Sequence, residues 1–516
     1  MERALPTALE GLVERCAAPN LVEATLRRLM ESSPDDLERL VDGPQPTELA
    51  RALVAVNAAS NSLGRLVVAD VRALDVLSQL DNPVVVDSSD PVSLARSKRL
   101  ELLRIAARDL LGFDTLEEVG SNLASMASAV LGAALSITTG TNGVSATGTN
   151  GQSDCPPENS VDGGKASIPN EALSSGLSII GMGKLGGEEL NYASDVDILF
   201  VNDDGEREGE ARRVLEVARD CFRVDADLRP EGRAGPLTRS LEGYISYWRR
   251  WARTWEFQAL LKARFVAGDR TLGGRFEESA ANEIWERTYS SEELGEVRSM
   301  KARTESMIER RGLAGRELKR GPGGIRDVEF AVQILQLVHG RLDPAIRGRS
   351  TLETLHELAS AGYVDADDAS VLGRAYRFLR TVEHRIQLVE EEQAHAVPTG
   401  DEARRRLAIV LGFEDDPSAT ATERFDEAIR VCLRDVRVIH ERLFFRPLLE
   451  AFAELDAVGE NGRARAATAR GPDGGMSQEA ISTRLAAFGF KGPKRTRAAV
   501  AELAGGLTRS SRLMSQ

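Results

Sequence analysis

Residues 181–200 read Gly-Met-Gly-Lys-Leu-Gly-Gly-Glu-Glu-Leu-Asn-Tyr-Ala-Ser-Asp-Val-Asp-Ile-Leu-Phe. The short apolar run 177–180 precedes a glycine-rich turn, and a second apolar run then begins with Asp195 and Asp197. Side chains alternate along a β-strand, so residues two positions apart project from the same face. The segment therefore predicts a strand that carries both carboxylates on one side, at the edge of a buried sheet.

Two neighbouring carboxylates repel each other unless a positive charge lies between them. A divalent cation is the simplest neutraliser, and Mg²⁺ prefers a few carboxylates together with water and phosphate oxygens. We therefore expect Asp195 and Asp197 to bind Mg²⁺ or Mn²⁺. The alternative is that the Asp-x-Asp pair only ends a strand in a solvated turn.

A third carboxylate, Asp225, follows another apolar run at 221–224. Three carboxylates with two metal ions form an arrangement that supports in-line displacement at phosphorus. Asp195, Asp197 and Asp225 are thus the predicted catalytic and metal-binding residues. The alternative for Asp225 is an ion pair with one of the arginines that surround it.

The glycine-rich turn predicts a phosphate site, because glycines let backbone N–H groups approach phosphate oxygens closely. A second glycine-rich turn at 321–324 has basic residues on both sides and leads into a helix, which is a further place where phosphate can bind. The residues predicted to hold nucleotide or phosphate are Gly181, Gly183, Lys184, Gly186, Gly187, Ser194, Arg223, Arg229, Lys319 and Arg326.

The helix predicted over 325–338 is apolar on almost every side except for a polar stripe of Glu329, Gln333 and Gln336. A helix that is apolar nearly all round is buried, and buried polar groups need partners. We expect Glu329 and Gln333, with Asp327 beside them, to face the substrate. The alternative partners are neighbouring helices or bound water.

A further polar group, Glu383-His384-Arg385, lies on a helix with a regular apolar stripe. We interpret this group as a solvated or interhelical polar face and not as catalytic.

The composition excludes several classes of function. Asp and Glu outnumber Lys and Arg by 80 to 66, and a net charge of −14 argues against nucleic acid or an anionic membrane as a partner. Four cysteines without close spacing argue against a zinc site or a disulfide framework. No signal peptide and no membrane span are expected, so we predict a cytoplasmic protein.

Five stretches together resemble one family, the bacterial glutamine synthetase adenylyltransferase/adenylyl-removing enzymes of the DNA polymerase β-like nucleotidyltransferase superfamily. They occur in the family's order and extend over roughly residues 90 to 450. The matching stretches are 181–197, 223–237, 255–264, 321–333 and 382–387.

The resemblance implies an activity and a set of partners. Family members usually have two similar halves, and this chain resembles the N-terminal, deadenylylating half. In that reaction phosphate attacks the adenylyl-tyrosine of glutamine synthetase and releases ADP, and the related forward reaction adenylylates from ATP. The implied partners are glutamine synthetase, ADP or ATP, phosphate and the PII signal protein. A PII uridylyltransferase-like enzyme and a non-catalytic regulatory module that docks on glutamine synthetase are the alternatives.

The predicted fold class is α+β, a mostly helical chain with a small mixed β-sheet nucleotidyltransferase core followed by a helical bundle. Helices from 88–135 are expected to pack on that core, with starts predicted by the N-cap Asp90 before Pro91 and by the capping-box pair Thr115 and Glu118. Strands are predicted at 177–180, 196–201 and 221–224, and the chain is predicted to be helical again from about 240 to about 455. The predicted regions are an N-terminal helical region at 1–135, a flexible low-complexity loop at 136–168, the core at 169–300, the bundle at 301–456, and a linker with short helices at 457–516.

Overall fold

The computed structural model describes residues 7–32, 39–42, 45–140, 176–203 and 207–458. The chain divides into two compact units, Met1–Tyr289 with Met300–Phe444, and Ser290–Ser299 with Phe445–Gln516. The site and the contacts described below lie in the larger unit, whereas α13 and α18 have residues in both units. The chain is mostly helical with one small mixed sheet, which confirms the predicted α+β class.

The N-terminal region is helical, as predicted. Its elements are α1 (Thr7–Glu14), α2 (Pro19–Ser32), the short strands β1 (Val41–Asp42) and β2 (Gln45–Pro46), α3 (Glu48–Ala59), α4 (Asn61–Ala69), α5 (Ala73–Leu77), α6 (Pro91–Leu110) and α7 (Leu116–Thr139). The Asp90 carboxylate caps α6, and Thr115 with Glu118 forms a capping box on α7. These local signals place both helix starts at the positions that the sequence predicts.

Helix α7 is long and apolar enough to cross a membrane by length and composition alone. Much of its surface is nevertheless buried within the protein, where it packs against α6 and the sheet. Val119, Leu123 and Val130 are each at most 1% exposed and belong to the largest hydrophobic cluster. Its apolar composition is therefore accounted for by the core that it helps to build.

The sheet has five strands, β3 (Leu177–Gly181), β4 (Asp195–Asn202), β5 (Arg223–Asp225), β6 (Thr238–Ser240) and β7 (Arg264–Gly268). Strand β3 lies between β7 and β4 and is antiparallel to both. Strands β5 and β6 run parallel to β4, the first beside its N-terminal half and the second beside its C-terminal half. The sheet is therefore mixed, as predicted.

The predictions of strands at 177–180 and 196–201 are confirmed, and the strand predicted at 221–224 is present but begins at Arg223 and ends at Asp225. The prediction of helix throughout 240–455 is wrong at 264–268, where β7 pairs with β3. Strand β6 was also missed, because its three residues, Thr-Arg-Ser, carry no apolar alternation. Both strands are specified by pairing with a distant partner and not by a local pattern.

Helices cover both faces of this sheet. Besides α6 and α7, they are α8 (Gly183–Gly186), α9 (Glu208–Arg219), α10 (Leu241–Arg250), α11 (Thr254–Leu260) and α12 (Arg270–Trp285). Val196, Ile198 and Phe200 belong to the cluster formed with α6, α7 and α9. Leu199 and Val201 belong to the cluster formed with α10, α11 and α12. Because side chains alternate along β4, its two aspartates project on the same side as Leu199 and Val201.

The remaining helices are α13 (Ser291–Arg310), α14 (Ile325–His339), α15 (Thr351–Ser360), α16 (Ala366–Leu388), α17 (Asp401–Val410) and α18 (Ala421–Val458). In the larger unit, α14 and α16 pack with α15 and with the apolar stripe of α18, which includes Phe425 and Val436. The prediction of a buried helix over 325–338 is confirmed. The five-region division stays a prediction. The loop predicted at 136–168 is wrong at its start, where α7 continues to Thr139, and the part of it after 140 lies, like most of the 457–516 region, outside the described residues.

Replacing Gly186 by alanine is expected to destabilise the fold. A Cβ at Gly186 would lie 1.7 Å from the carbonyl oxygen of Lys262 and 2.6 Å from that of Gly181. Backbone must therefore shift, which typically costs about 1–3 kcal/mol. The control is Gly274→Ala in α12, where nothing lies within 4 Å of the new Cβ. Chemical denaturation should show a lower midpoint for the first variant only; equal midpoints would contradict the close approach.

Candidate active site

The strand register places the three predicted carboxylates together. Asp195 pairs with Arg223, and Asp197 pairs with Asp225, across the parallel β4–β5 ladder. Partners in register project from the same face of a sheet, so the Asp197 and Asp225 side chains are neighbours. Asp195, two residues before Asp197, shares that face. The structure thus brings together the three carboxylates that the sequence singles out.

The carboxyl of Asp197 has a strongly perturbed pKa. Burial, together with the negative charges of Asp225 and Asp195, raises the pKa of Asp197 to about 7 against the opposing effect of Lys319 and Lys184. Two carboxylates therefore act electrostatically on a third that is poorly solvated. This is the arrangement in which a bound cation relieves the most repulsion.

The other two carboxylates have partners of their own. Asp195 accepts a hydrogen bond from the Gln393 amide at 3.0 Å and pairs with the Arg223 guanidinium at 3.1 Å. Asp225 accepts from the backbone N–H of Asp227 at 2.7 Å. Within the described part of the chain, no three acidic, histidine or cysteine side chains stand in metal-ligand geometry. Ligation by all three carboxylates therefore requires that the Oδ1 atom of Asp195 release the Arg223 guanidinium.

The donor set nevertheless fits a hard divalent cation. Mg²⁺ and Mn²⁺ favour carboxylate oxygens, and three of them project from one sheet face here. The pKa of Asp197 is raised by burial and by like-charge repulsion, and a bound cation would offset both effects. A cleft of about 570 Å³ beside them is lined by Asp195, Arg223 and Asp225, which leaves room for a polar ligand.

One of the four glycines, Gly183, faces the carboxylates. Its φ of +51° belongs to the left-handed region, and a Cβ there would lie 2.8 Å from Asp197 Oδ2. The backbone N–H of Met182 donates to the carbonyl of Asp197 at 2.8 Å. The turn is thus fastened directly to the strand that carries the aspartates.

The other three glycines serve close packing. A Cβ at Gly181 would meet the Val266 and Leu185 side chains, and a Cβ at Gly187 would lie 3.1 Å from the Lys262 side chain. Gly186 faces the Lys262 backbone. The structure does not bring these three glycines, which the sequence predicts to hold phosphate, against the carboxylates.

Lys184 is buried against an acidic partner. Its ammonium lies 3.2 Å from the Glu383 carboxylate on α16. Burial lowers the pKa of Lys184 to about 7, although the charge of Glu383 opposes the effect. Lys319 is half-buried nearby, and its charge acts on both Asp197 and Glu383. Two basic residues that were predicted to hold phosphate therefore lie close to Asp197.

The predicted arginines and Ser194 differ in their surroundings. Arg229 donates to the carbonyls of Ala226 and Gly235 at 2.8 and 3.2 Å, so it braces its own loop. Arg326 stacks on the Phe330 ring at 4.9 Å. The Ser194 hydroxyl donates to the backbone carbonyl of Asp195 at 2.9 Å, so it supports the start of β4.

The polar side chains of α14 meet protein partners. Asp327 accepts a hydrogen bond from the backbone N–H of Gly323 at 2.9 Å and pairs with Lys301 at 2.9 Å. It therefore stabilises the second glycine-rich turn, 321–324. Gln333 accepts a hydrogen bond of 2.7 Å from Gln258. Glu329 lies 3.4 Å from the Tyr376 hydroxyl. Interhelical partners, the alternative for the stripe, thus account for Gln333 and Glu329, and Asp327 does not face the carboxylates.

Sequence reasoning missed a buried polar cluster on α16. Arg380, Glu383 and His384 are at most 1% exposed, so the possibility of a solvated face is wrong and the interhelical one holds. Glu383 accepts from Asn191 at 2.7 Å. Arg380 donates to Asn191 and to the carbonyl of Glu189 at 2.6 and 2.7 Å. The spacing of these polar residues by three and four on one helix face was the available signal.

Burial and neighbouring charges keep Glu383 ionised and His384 neutral at physiological pH. Burial and the charge of Arg380 lower the pKa of His384 to about 3, so this imidazole is neutral at physiological pH. Burial alone would raise the pKa of Glu383, but Lys184, His395 and Arg380 hold it well below its ordinary value. The cluster therefore anchors segment 189–191, which leads into β4, to the bundle.

Two family models match the chain. The model described as glutamate-ammonia ligase adenylyltransferase matches residues 9–220 and 217–279, which together make up more than half of the chain. The model described as GlnD PII-uridylyltransferase matches residues 298–444. The first match contains the sheet and its carboxylates, and the second contains α14 to α17.

Curated relatives extend the comparison. A bifunctional glutamine synthetase adenylyltransferase/adenylyl-removing enzyme of Streptomyces avermitilis is 38% identical, over 99% of this chain and 49% of its own length. The Streptomyces coelicolor enzyme of the same name is 37% identical over 99% of this chain and 50% of its length. The Mycolicibacterium smegmatis enzyme is 41% identical over 65% of this chain and 34% of its length.

The chain therefore spans about half the length of the two Streptomyces relatives that it matches. The resemblance noted in the sequence is confirmed over nearly the whole chain. Because the first family model matches more than half of its residues, this chain belongs to the glutamate-ammonia ligase adenylyltransferase family.

Proposed function

We propose that this chain is a metal-dependent nucleotidyltransferase that removes AMP from the adenylyl-tyrosine of glutamine synthetase by phosphorolysis, giving ADP. The observation that carries the proposal is the grouping of Asp195, Asp197 and Asp225 on one sheet face, with the pKa of Asp197 raised to about 7. The names of the relatives supply the protein substrate and the adenylyl group. The adenylyl-tyrosine and the phosphate would meet at the sheet face that carries the three aspartates.

The proposed reaction is an in-line displacement at the α-phosphorus. An oxygen of inorganic phosphate bonds to that phosphorus, the bond from phosphorus to the tyrosine oxygen breaks, and the phenol takes up a proton as it leaves. Mg²⁺ or Mn²⁺ held by the three aspartates would stabilise the charge on the reacting phosphoryl group. Lys319 and Lys184, whose charges act on Asp197, would attract the incoming phosphate.

The proposed direction of the reaction, removal of AMP, rests on the sequence resemblance. The wording of segments 223–237 and 321–333 resembles the deadenylylating half of the family. The forward reaction, adenylylation from ATP, would form the bond from the tyrosine oxygen to the α-phosphorus and break the bond from that phosphorus to the pyrophosphate leaving group. The assay below therefore has to measure both directions.

The test is to incubate the protein with adenylylated glutamine synthetase, Mg²⁺ and phosphate, and to measure ADP. We expect ADP in amounts equal to the adenylyl groups removed from glutamine synthetase, and none when phosphate or the divalent metal is left out. Transfer of AMP from ATP to unmodified glutamine synthetase, without ADP formation in the first assay, would replace the proposed direction with the forward one.

Two alternatives predict other results. A PII uridylyltransferase-like enzyme is favoured by the match of 298–444 to that family's model, and it would transfer UMP from UTP to PII. That match excludes the sheet, so the bundle alone carries it. A non-catalytic module would bind glutamine synthetase or PII without turnover. PII, if it binds, is proposed as a regulator and not as the substrate.

The raised pKa of Asp197 also predicts a pH effect on stability. Because the fold raises this pKa from 3.8 to about 7, the folded protein binds the proton more tightly than the unfolded chain. The free energy of unfolding should therefore fall as the pH rises from about 4 to about 7 in metal-free buffer. Asp197→Asn should lack this part of the fall, so the stability difference in its favour should grow across that range. Parallel curves for the two proteins would contradict the perturbed carboxyl.

A further inference from the structure

Residues 389–397, which we name the strap, follow α16 and connect three parts of the larger unit. At the start of the strap, the carbonyl of Val389 accepts from the backbone N–H groups of Asn61 and Ser62 at 2.8 and 3.3 Å. Glu390 accepts from the Asn61 amide at 2.7 Å and pairs with Arg65 at 2.9 Å. The strap therefore begins docked on the first turn of α4, in the N-terminal region.

The end of the strap is also held by hydrogen bonds. The backbone N–H of Leu318 donates to the carbonyl of His395 at 2.8 Å, and Val397 donates to the carbonyl of Arg316 at 3.0 Å. The His395 imidazole lies 2.7 Å from the Glu383 carboxylate. This end thus lies beside the segment that leads to Lys319.

The middle of the strap reaches the candidate active site. The Gln393 amide donates to Asp195 Oδ2 at 3.0 Å, and its oxygen accepts from Arg223 at 3.0 Å. Arg223 in turn pairs with Asp195 Oδ1 at 3.1 Å, so the three side chains form a closed ring. Both oxygens of the Asp195 carboxylate are engaged, one by a neutral amide and the other by a cation.

Backbone strain marks the same segment. Glu391 has a φ of +56°, which is unfavourable for a residue with a side chain. Its carboxylate accepts from the Ser62 hydroxyl at 2.5 Å. Such a conformation persists only where the surroundings fix it, and here the contact with α4 does so two residues before Gln393.

We propose that Gln393 is a positioning residue for Asp195: it holds Oδ2, so that Oδ1 exchanges the Arg223 guanidinium for the divalent cation. Carboxylates that bind metals are themselves held by hydrogen bonds, and loss of such a partner typically weakens metal binding about 10- to 100-fold. Through Glu391 and Glu390, the N-terminal helices then set the orientation of a carboxylate in the active site. This inference rests on the proposed metal-dependent function.

The test measures Mn²⁺ binding directly, by the electron paramagnetic resonance signal of the free ion, in wild type and in Gln393→Ala. We expect the variant to bind Mn²⁺ about tenfold more weakly at the site that Asp197→Asn removes. Glu392→Ala, which changes the exposed neighbour in the strap, should bind like wild type. Ser62→Ala, which removes the support of Glu391 from α4, should weaken binding in the same direction by a smaller factor.

Turnover separates positioning from simple loss of structure. The metal concentration for half-maximal ADP release should rise about tenfold in Gln393→Ala, whereas the rate at saturating metal should return to within about twofold of wild type. Equal Mn²⁺ affinity in wild type and Gln393→Ala would overturn the role of Gln393 and leave the proposed function standing. Wild type that binds no Mn²⁺ dependent on Asp197 would overturn both.

Discussion

Asp197→Asn is expected to reduce ADP release from adenylylated glutamine synthetase by about 10³-fold or more. Removal of a single preorganised group that stabilises transition-state charge commonly costs 10²–10³-fold. Asp197 is central among the three carboxylates, since both of the others act on its charge. Its neutral amide would hold a cation poorly, and the repulsion that makes the site attract a metal would be reduced. The measurement is the initial rate of ADP formation at saturating phosphate and Mg²⁺.

The control for this variant is Asp203→Asn. Asp203 follows the C-terminal end of β4, is largely exposed, and has its arginine partner, Arg275, at 3.8 Å. Its replacement should change the rate by less than about twofold, since exposed ion pairs contribute little. An Asp197→Asn protein that releases ADP at the wild-type rate would remove the carboxylate from the mechanism.

Loss of activity in Asp197→Asn should not come from unfolding. The fold raises the pKa of Asp197 to about 7, so the ionised carboxylate is held against burial and two like charges. The amide has no charge to desolvate or repel. We therefore expect the variant to be at least as stable as wild type near pH 8, which makes the activity measurement interpretable.

The sequence was sufficient where a local pattern determines the structure. The alternation in 195–201 predicts β4 and the common face of its aspartates, and that face is observed. The capping residues Asp90 and Thr115 predict helix starts for the same reason, because their hydrogen bonds are made within one turn. These features need no knowledge of the rest of the chain.

Residue types alone did not reveal which groups face the site. Gly183 faces Asp197, whereas Gly186 packs against the Lys262 carbonyl, although both belong to one motif. A glycine is required for either purpose, so the motif does not distinguish them. Likewise Arg229, predicted to hold phosphate, is used by carbonyls of its own loop. Only the fold determines where such a side chain is directed.

Long-range partners were beyond the sequence for a further reason. Gln393 meets Asp195 from a segment almost 200 positions away, and nothing in Glu-Gln-Ala-His indicates that contact. Glu383 was placed on a polar helix face, but its burial follows from the packing of α16 against 189–191. Contacts between distant segments depend on the whole topology, which the helical and strand patterns define only in part.

Glu383→Ala is expected to produce the largest loss of stability of the variants considered. The Glu383 carboxylate is completely buried and accepts hydrogen bonds from Asn191 and His395, with the Lys184 ammonium 3.2 Å away. Removing one partner of a buried ion pair costs about 3–5 kcal/mol, because the remaining charge stays in a poorly solvated place. Arg380 would also lose its neighbouring carboxylate. The midpoint of chemical denaturation should fall accordingly at neutral pH.

Two further variants determine whether charge is the cause. Glu392→Ala, in the strap and exposed, should leave the midpoint within experimental error. Lys184→Met combined with Glu383→Leu removes both members of the pair, and we expect it to recover part of the loss, because buried pairs replaced by apolar groups are often tolerated. Recovery would be incomplete, since Asn191 and His395 lose their acceptor. If Glu383→Ala lost less than about 1 kcal/mol, the carboxylate could not be the anchor that holds segment 189–191, and with it the approach to Asp195, against the bundle.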